Sequence, residues 1–151
     1  MLTLGDDAFT SGRAEYTDMR PATPGGDPKI YVRFKVADLP VVWVAALDTG
    51  ASWTCLASEI ASEMGVDAAN GEKIRIGTRW GSVPGALVPN VALTILADEG
   101  DSLRIDATVF VPTIDDSPFH DDTYFGYRGL LERIRLALDP QKNLFYFGEA
   151  T

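Results

Sequence analysis

The clearest pattern in the chain is alternation. In Lys29 to Val36 (KIYVRFKV), Ile30, Val32, Phe34 and Val36 fall on one face and Tyr31, Arg33 and Lys35 on the other, the two-residue period of a half-buried strand. Leu103 to Val111 (LRIDATVFV) alternates in the same way. Val41 to Leu47 (VVWVAAL) is apolar on both faces, which predicts a strand covered on both sides. Lys73 to Ile76 and Val91 to Leu96 read as strands flanking a Gly- and Pro-rich turn, and Leu144 to Phe147 as the closing strand. These runs are rich in β-branched and aromatic residues, which fit a pleated surface. Two short helices are predicted. One is capped by Ser58 and runs through Met64, with Gly65 as its stop. The other spans Gly129 to Arg135 (GLLERIR). Many short strands and little helix predict an all-β barrel or sandwich.

Pro21 to Pro28 (PATPGGDP) holds three prolines and two glycines and reads as a linker. It divides the chain into an N-terminal arm with linker, residues 1–28, and a body, residues 29–151; the arm is read as an added strand or a mobile segment.

The 151 residues suit one domain, and a hydrophobic share of 46% supports a packed core rather than disorder. The net charge of −9 argues against nucleic acid or an anionic membrane surface as partner, because both repel an acidic protein. Residues 98–122 carry eight carboxylates against Arg104, the pattern of solvated loops. The longest apolar run, Val41 to Leu47, is too short to span a bilayer. The N-terminus lacks a basic region followed by an apolar stretch, so no signal peptide is read and the expected compartment is the cytoplasm.

A lone cysteine, Cys55, excludes an internal disulfide and a multi-cysteine zinc site. A lone histidine, His120, argues against a Ser-His-Asp triad; beside Asp121 and Asp122 it lacks the further ligands of a metal centre. No cofactor and no metal are expected. Cys55 reads as a small buried residue, Trp43 as core, and Trp80 as either a substrate-facing or a core residue. Arg128, Arg133 and Arg135 read as a helix face paired with acidic loops. Carboxylates and hydroxyls remain as chemical equipment. The sharpest candidate is AALDTGAS, Ala45 to Ser52, where an apolar strand runs directly into Asp48, Thr49 and Gly50. An aspartate there loses solvation and so requires a reason.

VAALDTGAS resembles the catalytic loop of the retropepsin-like aspartic proteases. Gly126, Tyr127, Arg128, Gly129, Leu130 and Leu131 resemble that family's turn into a helix bearing paired leucines, followed by a last strand. GTRWGSVPG, Gly77 to Gly85, stands in the place of the flap. The resemblance implies a closed, antiparallel β-barrel with one or two short helices, and an aspartic endopeptidase acting on peptide or protein substrates. One DTG per chain implies a homodimer in which Asp48 of each subunit meets at a two-fold axis. It further implies that Thr49 bonds across the axis, that Gly50 permits close backbone approach, and that Leu144 to Phe147 pairs across the dimer. Substrate contacts are expected from Ala51, Ser52, Arg79, Trp80 and Gly81. Three departures stand out: Ala51 lacks a hydroxyl, Ser52 and Trp53 replace a frequent acidic pair, and Arg79 and Trp80 enlarge the flap. The rival reading is a catalytically silent dimerisation or peptide-binding module that keeps the fold.

Overall fold

The computed structural model describes residues 1–18, 29–78, 81–113 and 123–150. In chain order the strands are β1 (Thr3–Leu4), β2 (Asp7–Ala8), β3 (Gly12–Glu15), β4 (Tyr31–Val36), β5 (Trp43–Leu47), β6 (Thr54–Cys55) and β7 (Glu72–Thr78). They continue with β8 (Gly81–Ile95), β9 (Glu99–Gly100), β10 (Leu103–Pro112), β11 (Tyr124–Phe125), β12 (Ile134–Asp139) and β13 (Leu144–Glu149). One α-helix, α1 (Ser58–Glu63), and two single-turn 3₁₀ segments, Ala68–Asn70 and Leu131–Arg133, complete the described residues. The all-β expectation holds.

β1 and β2 form a small hairpin. The main sheet runs β10-β6-β11-β5-β4-β8-β7, and β10 also pairs with β8, so the succession of neighbours returns on itself. Pairing is mainly antiparallel, with parallel ladders at β10–β6 and β11–β5 and a parallel bridge between Trp53 and Arg128. Inside lie Val32, Phe34 and Val36 of β4, as the alternation predicts, with Leu93, Ile95, Ala107, Val109 and Phe125. Phe34 meets Phe125 edge-on, with ring centroids 5.1 Å apart.

A second sheet, β12-β13-β3-β9, packs on the same core through Phe145 and Phe147. The N-terminal arm enters it: β3 pairs with β13 in register Leu144↔Glu15 to Phe147↔Gly12, and Ala14 and Tyr16 are buried in the main cluster. β13 therefore has both edges occupied by its own chain, β12 on one side and β3 on the other. This corrects the expectation that Leu144 to Phe147 pairs across a dimer, because its backbone groups are already spent in two intrachain ladders.

Four local expectations are also corrected. β5 is not covered on both faces along its whole length: Ala45 and Ala46, adjacent and so on opposite faces, are both buried, but Val44 is 40% exposed, as are Val41 (44%) and Val42 (48%) just before the strand. The segment from Ser82 to Pro89 is strand, not turn. The hairpin closes at Thr78↔Gly81, and β8 continues through Pro84 and Pro89. Pro89 sits in a bulge, where Pro89 and Asn90 oppose Thr108 alone and no ladder N–H is needed. Helix α1 is capped by Ala57 without a side-chain bond, and the Ser58 hydroxyl is buried without a partner among the described residues. Burial of Leu56 and Ala57 sets where that helix begins, while Gly65 (φ 64°) ends it as expected. Finally, Gly129 to Arg135 is no helix beyond the 3₁₀ turn. Leu130 takes a non-helical conformation, and Ile134 goes directly into β12, paired with Glu149. Tertiary pairing overrides helix propensity here.

Candidate active site

The site follows from how β11 enters the sheet. β5 and β6 do not pair with each other; β11 is wedged between them, parallel to β5 and antiparallel to β6. The chain from Asp48 to Trp53 must therefore arch over the end of β11. Asp48 stands where β5 ends, its N–H donating to the Phe125 carbonyl at 3.0 Å. Its Oδ1 accepts the Gly50 N–H at 2.9 Å, and its carbonyl accepts the Ala51 N–H at 3.1 Å. This is a tight turn organised by the aspartate itself.

The far side of the arch is clasped by the segment after β11. Tyr127 N–H donates to the Ala51 carbonyl at 2.9 Å and Arg128 N–H to the Ser52 carbonyl at 3.0 Å. Thr54, fully buried, works as a clamp: its hydroxyl accepts the Gly126 N–H at 3.1 Å and donates to the Gly126 carbonyl at 3.3 Å. Gly126 is required at this crossing, since a Cβ there would lie 2.2 Å from the Trp53 carbonyl oxygen. Gly129 (φ 83°) makes a comparably close approach to Thr108 on β10. The loop is thus tied by backbone bonds to β11 and to the segment that follows it.

Above the loop lies a cleft of about 1010 Å³. Asp48, Thr49, Gly50, Ala51 and Ser52 line it together. β7 of the β7–β8 hairpin contributes Ile74, Arg75, Ile76, Gly77 and Thr78 to the same cleft. Gly81 (φ 122°) closes that hairpin and does not line the cleft. Arg79 and Trp80 lie outside the described residues, as do His120, Asp121, Asp122 and the linker Pro21 to Pro28. Asp48 is half-buried rather than desolvated, because in one chain the cleft is open to water. Among the described residues no cation forms an ion pair with it, and nothing hydrogen-bonds its Oδ2.

Several lining residues escaped the sequence reading: Lys29, Tyr124 and Tyr127, together with the clamp Thr54. A polar, β-branched residue inside the apolar run TCLA was the available signal for Thr54. Cys55 is buried, as expected, beneath the cleft with Val83 and Phe110. Trp43 packs only partly against the core, its indole N–H buried without a partner among the described residues. The three arginines share no helix face: Arg128 stacks on Trp53, Arg133 donates to the Asp106 carbonyl, and Arg135 donates to the Ala8 carbonyl. No helix of the described residues is long and apolar enough to cross a membrane.

Among solved structures, the chain is similar to a retropepsin-like aspartic protease from Rickettsia conorii, with a TM-score of 0.61, 22% identity and 92% of each chain covered. It is also similar to the retroviral protease-like domain of Ddi1 from Leishmania major, with a TM-score of 0.51 and 14% identity over 82% of this chain and 94% of that one. No protein-family model matches the sequence, and no curated protein does. At these identities the likeness concerns architecture: the chain has the retropepsin-like fold.

Proposed function

We propose that this chain is an aspartic endopeptidase that works as a homodimer, with Asp48 of each subunit at a shared axis. The observation that carries the reading is the placement of Asp48, on a loop tied by backbone bonds, lining a cleft with one carboxylate oxygen uncommitted among the described residues. The solved structures of the same fold, one of them a retropepsin-like aspartic protease, support it. We read the returning ring of strands as a closed barrel that holds the loop rigid. Thr49, exposed beside Asp48, is assigned to bond across the axis, and Gly50 to let the two loops approach. Ala51 and Ser52, which line the cleft, are assigned to peptide binding, and the sequence adds Arg79 and Trp80 to that assignment.

Two carboxylates at such an axis cannot both ionise readily, so they share one proton. The ionised member takes a proton from water as the water oxygen attacks the peptide carbonyl. The protonated member hydrogen-bonds the carbonyl oxygen and stabilises the developing oxyanion. Collapse of the tetrahedral intermediate breaks the C–N bond, and the amine leaves with a proton.

The test is cleavage of a diverse peptide library by wild type and Asp48→Asn across pH. The amide cannot take the water's proton, so the rate should fall at least ~10²-fold. Folding should survive, since Asn keeps the shape and can still accept the Gly50 N–H. Equal cleavage by both proteins rejects Asp48 as the catalyst. A confirmed wild-type dimer that cleaves nothing at any pH points instead to the silent binding module.

A further inference from the structure

Three cations line the same cleft: Lys29, Arg75 and Arg128, all exposed. Asp48 is the sole carboxylate among the described lining residues. This is an inversion in a chain of net charge −9. Four cations outside the cleft pair with carboxylates, Arg13 with Glu99, Arg33 with Asp98, Arg104 with Asp38 and Lys142 with Asp139, while Arg133 donates to a backbone carbonyl. The three in the cleft pair with no carboxylate among the described residues. Lys29 Nζ sits 5.1 Å from the centre of the Tyr124 ring, and the Arg128 guanidinium 5.7 Å from that of Trp53. Arg75 is steadied across the hairpin by Ser82, its Nε 2.9 Å from the hydroxyl oxygen. Aromatic faces and a hydroxyl orient these groups without neutralising them. Positive charge is therefore held in place, facing a cleft, while most of the protein repels anions.

We propose that the cleft selects acidic peptides, with Lys29, Arg75 and Arg128 as the specificity-determining residues. The proposal rests on the protease reading and names its substrate class. In a homodimer each cation is present twice, around two aspartates that share one proton, so the assembled cleft is net positive. Glutamate or aspartate side chains flanking the scissile bond would supply the missing partners. The opposed potentials would also draw such peptides toward the cleft and away from the acidic remainder of the surface.

The experiment measures binding separately from cleavage. Dye-labelled extended peptides, identical except for glutamate or glutamine at alternate positions, are titrated into full-length Asp48→Asn protein and followed by fluorescence anisotropy. The glutamate peptide should bind about tenfold tighter at low salt, the scale of several part-exposed charge pairs acting together. That preference should shrink at high salt and in proteins also carrying Lys29→Gln, Arg75→Gln or Arg128→Gln; all three side chains are exposed, so the fold tolerates the changes. Equal binding of the two peptides overturns the proposal. A preference unchanged when all three cations are replaced also overturns it, by placing the attraction elsewhere. Asp48-dependent cleavage without acidic preference would sink the specificity assignment alone. Acidic preference in a wild type that cleaves nothing would support the assignment and count only against catalysis.

Discussion

The Thr54 clamp is the most exposed point of the structural reasoning. Thr54→Val keeps the shape of a fully buried side chain and removes its hydroxyl. Two interactions with Gly126 disappear, and the Gly126 N–H is left in a buried position facing a methyl group. An unpaired buried donor costs about 1–3 kcal/mol, while the gain from an added apolar methyl is below about 1 kcal/mol. The net loss should be about 1–2 kcal/mol. The strain does not stay local, because Gly126 is pressed against the Trp53 carbonyl on the arch that begins at Asp48. Hydrogen exchange at the Gly126 amide should accelerate together with exchange at Tyr127 and Arg128, whose N–H groups hold the arch. Thr54→Ser separates the causes. It loses a buried methyl, so it too is less stable by about 1 kcal/mol, but Gly126 should remain protected. Urea unfolding gives the stabilities and exchange mass spectrometry the protection. A Thr54→Val protein as stable as wild type, with Gly126 still protected, would show that the clamp holds nothing.

Acid should loosen the joint between the two sheets. Asp98 is held below the ordinary carboxylate range by the Glu15 N–H at 2.8 Å and then by Arg33. A depressed carboxylate adds stability that is present above its unfolded value of 3.8 and lost as pH falls through its folded value. With its side chain 43% exposed, the effect should stay below about 1 kcal/mol; urea midpoints of wild type should drop further on acidification than those of Asp98→Asn, and parallel pH profiles would refute the assignment. Truncation after Asn143 removes the strand between β12 and β3 along with Phe145 and Phe147, so it should abolish cooperative unfolding rather than merely shift a monomer–dimer equilibrium; a folded truncated monomer by circular dichroism would contradict this. For the proposed protease, activity should fall at both pH extremes, when the aspartate pair holds two protons or none. Library cleavage that stays flat across pH would refute the shared proton.

Period-two alternation was readable in β4 and in the first half of β10, where one face lies on the core, and the buried residues of β4 are those the pattern selects; from Val109 on, β10 is buried on both faces. The Asp48 loop was readable because its chemistry is local: an apolar strand, an aspartate that accepts from its own turn, and a glycine. Gly65 likewise stops α1 through its own backbone geometry. What the sequence did not disclose depends on partners distant along the chain. Ile134 and Arg135, read as the end of a helix over Gly129 to Arg135, are extended because β13 supplies their ladder. The apolar stretch before Asp48 does not say where along it cover ends; Val44 is exposed while Ala46, two residues on along the same face, is buried. β3 pairs with a strand more than a hundred residues away, and nothing in its own residues names that partner. Thr54 and Gly126 lie 72 residues apart, and the cleft's cations come from three separate segments. Local sequence specifies conformations that a few neighbouring residues can stabilise themselves. The clamp, the wedge of β11 and the charge of the cleft exist only after the chain has closed on itself, because their energies belong to contacts between residues that periodicity cannot bring together.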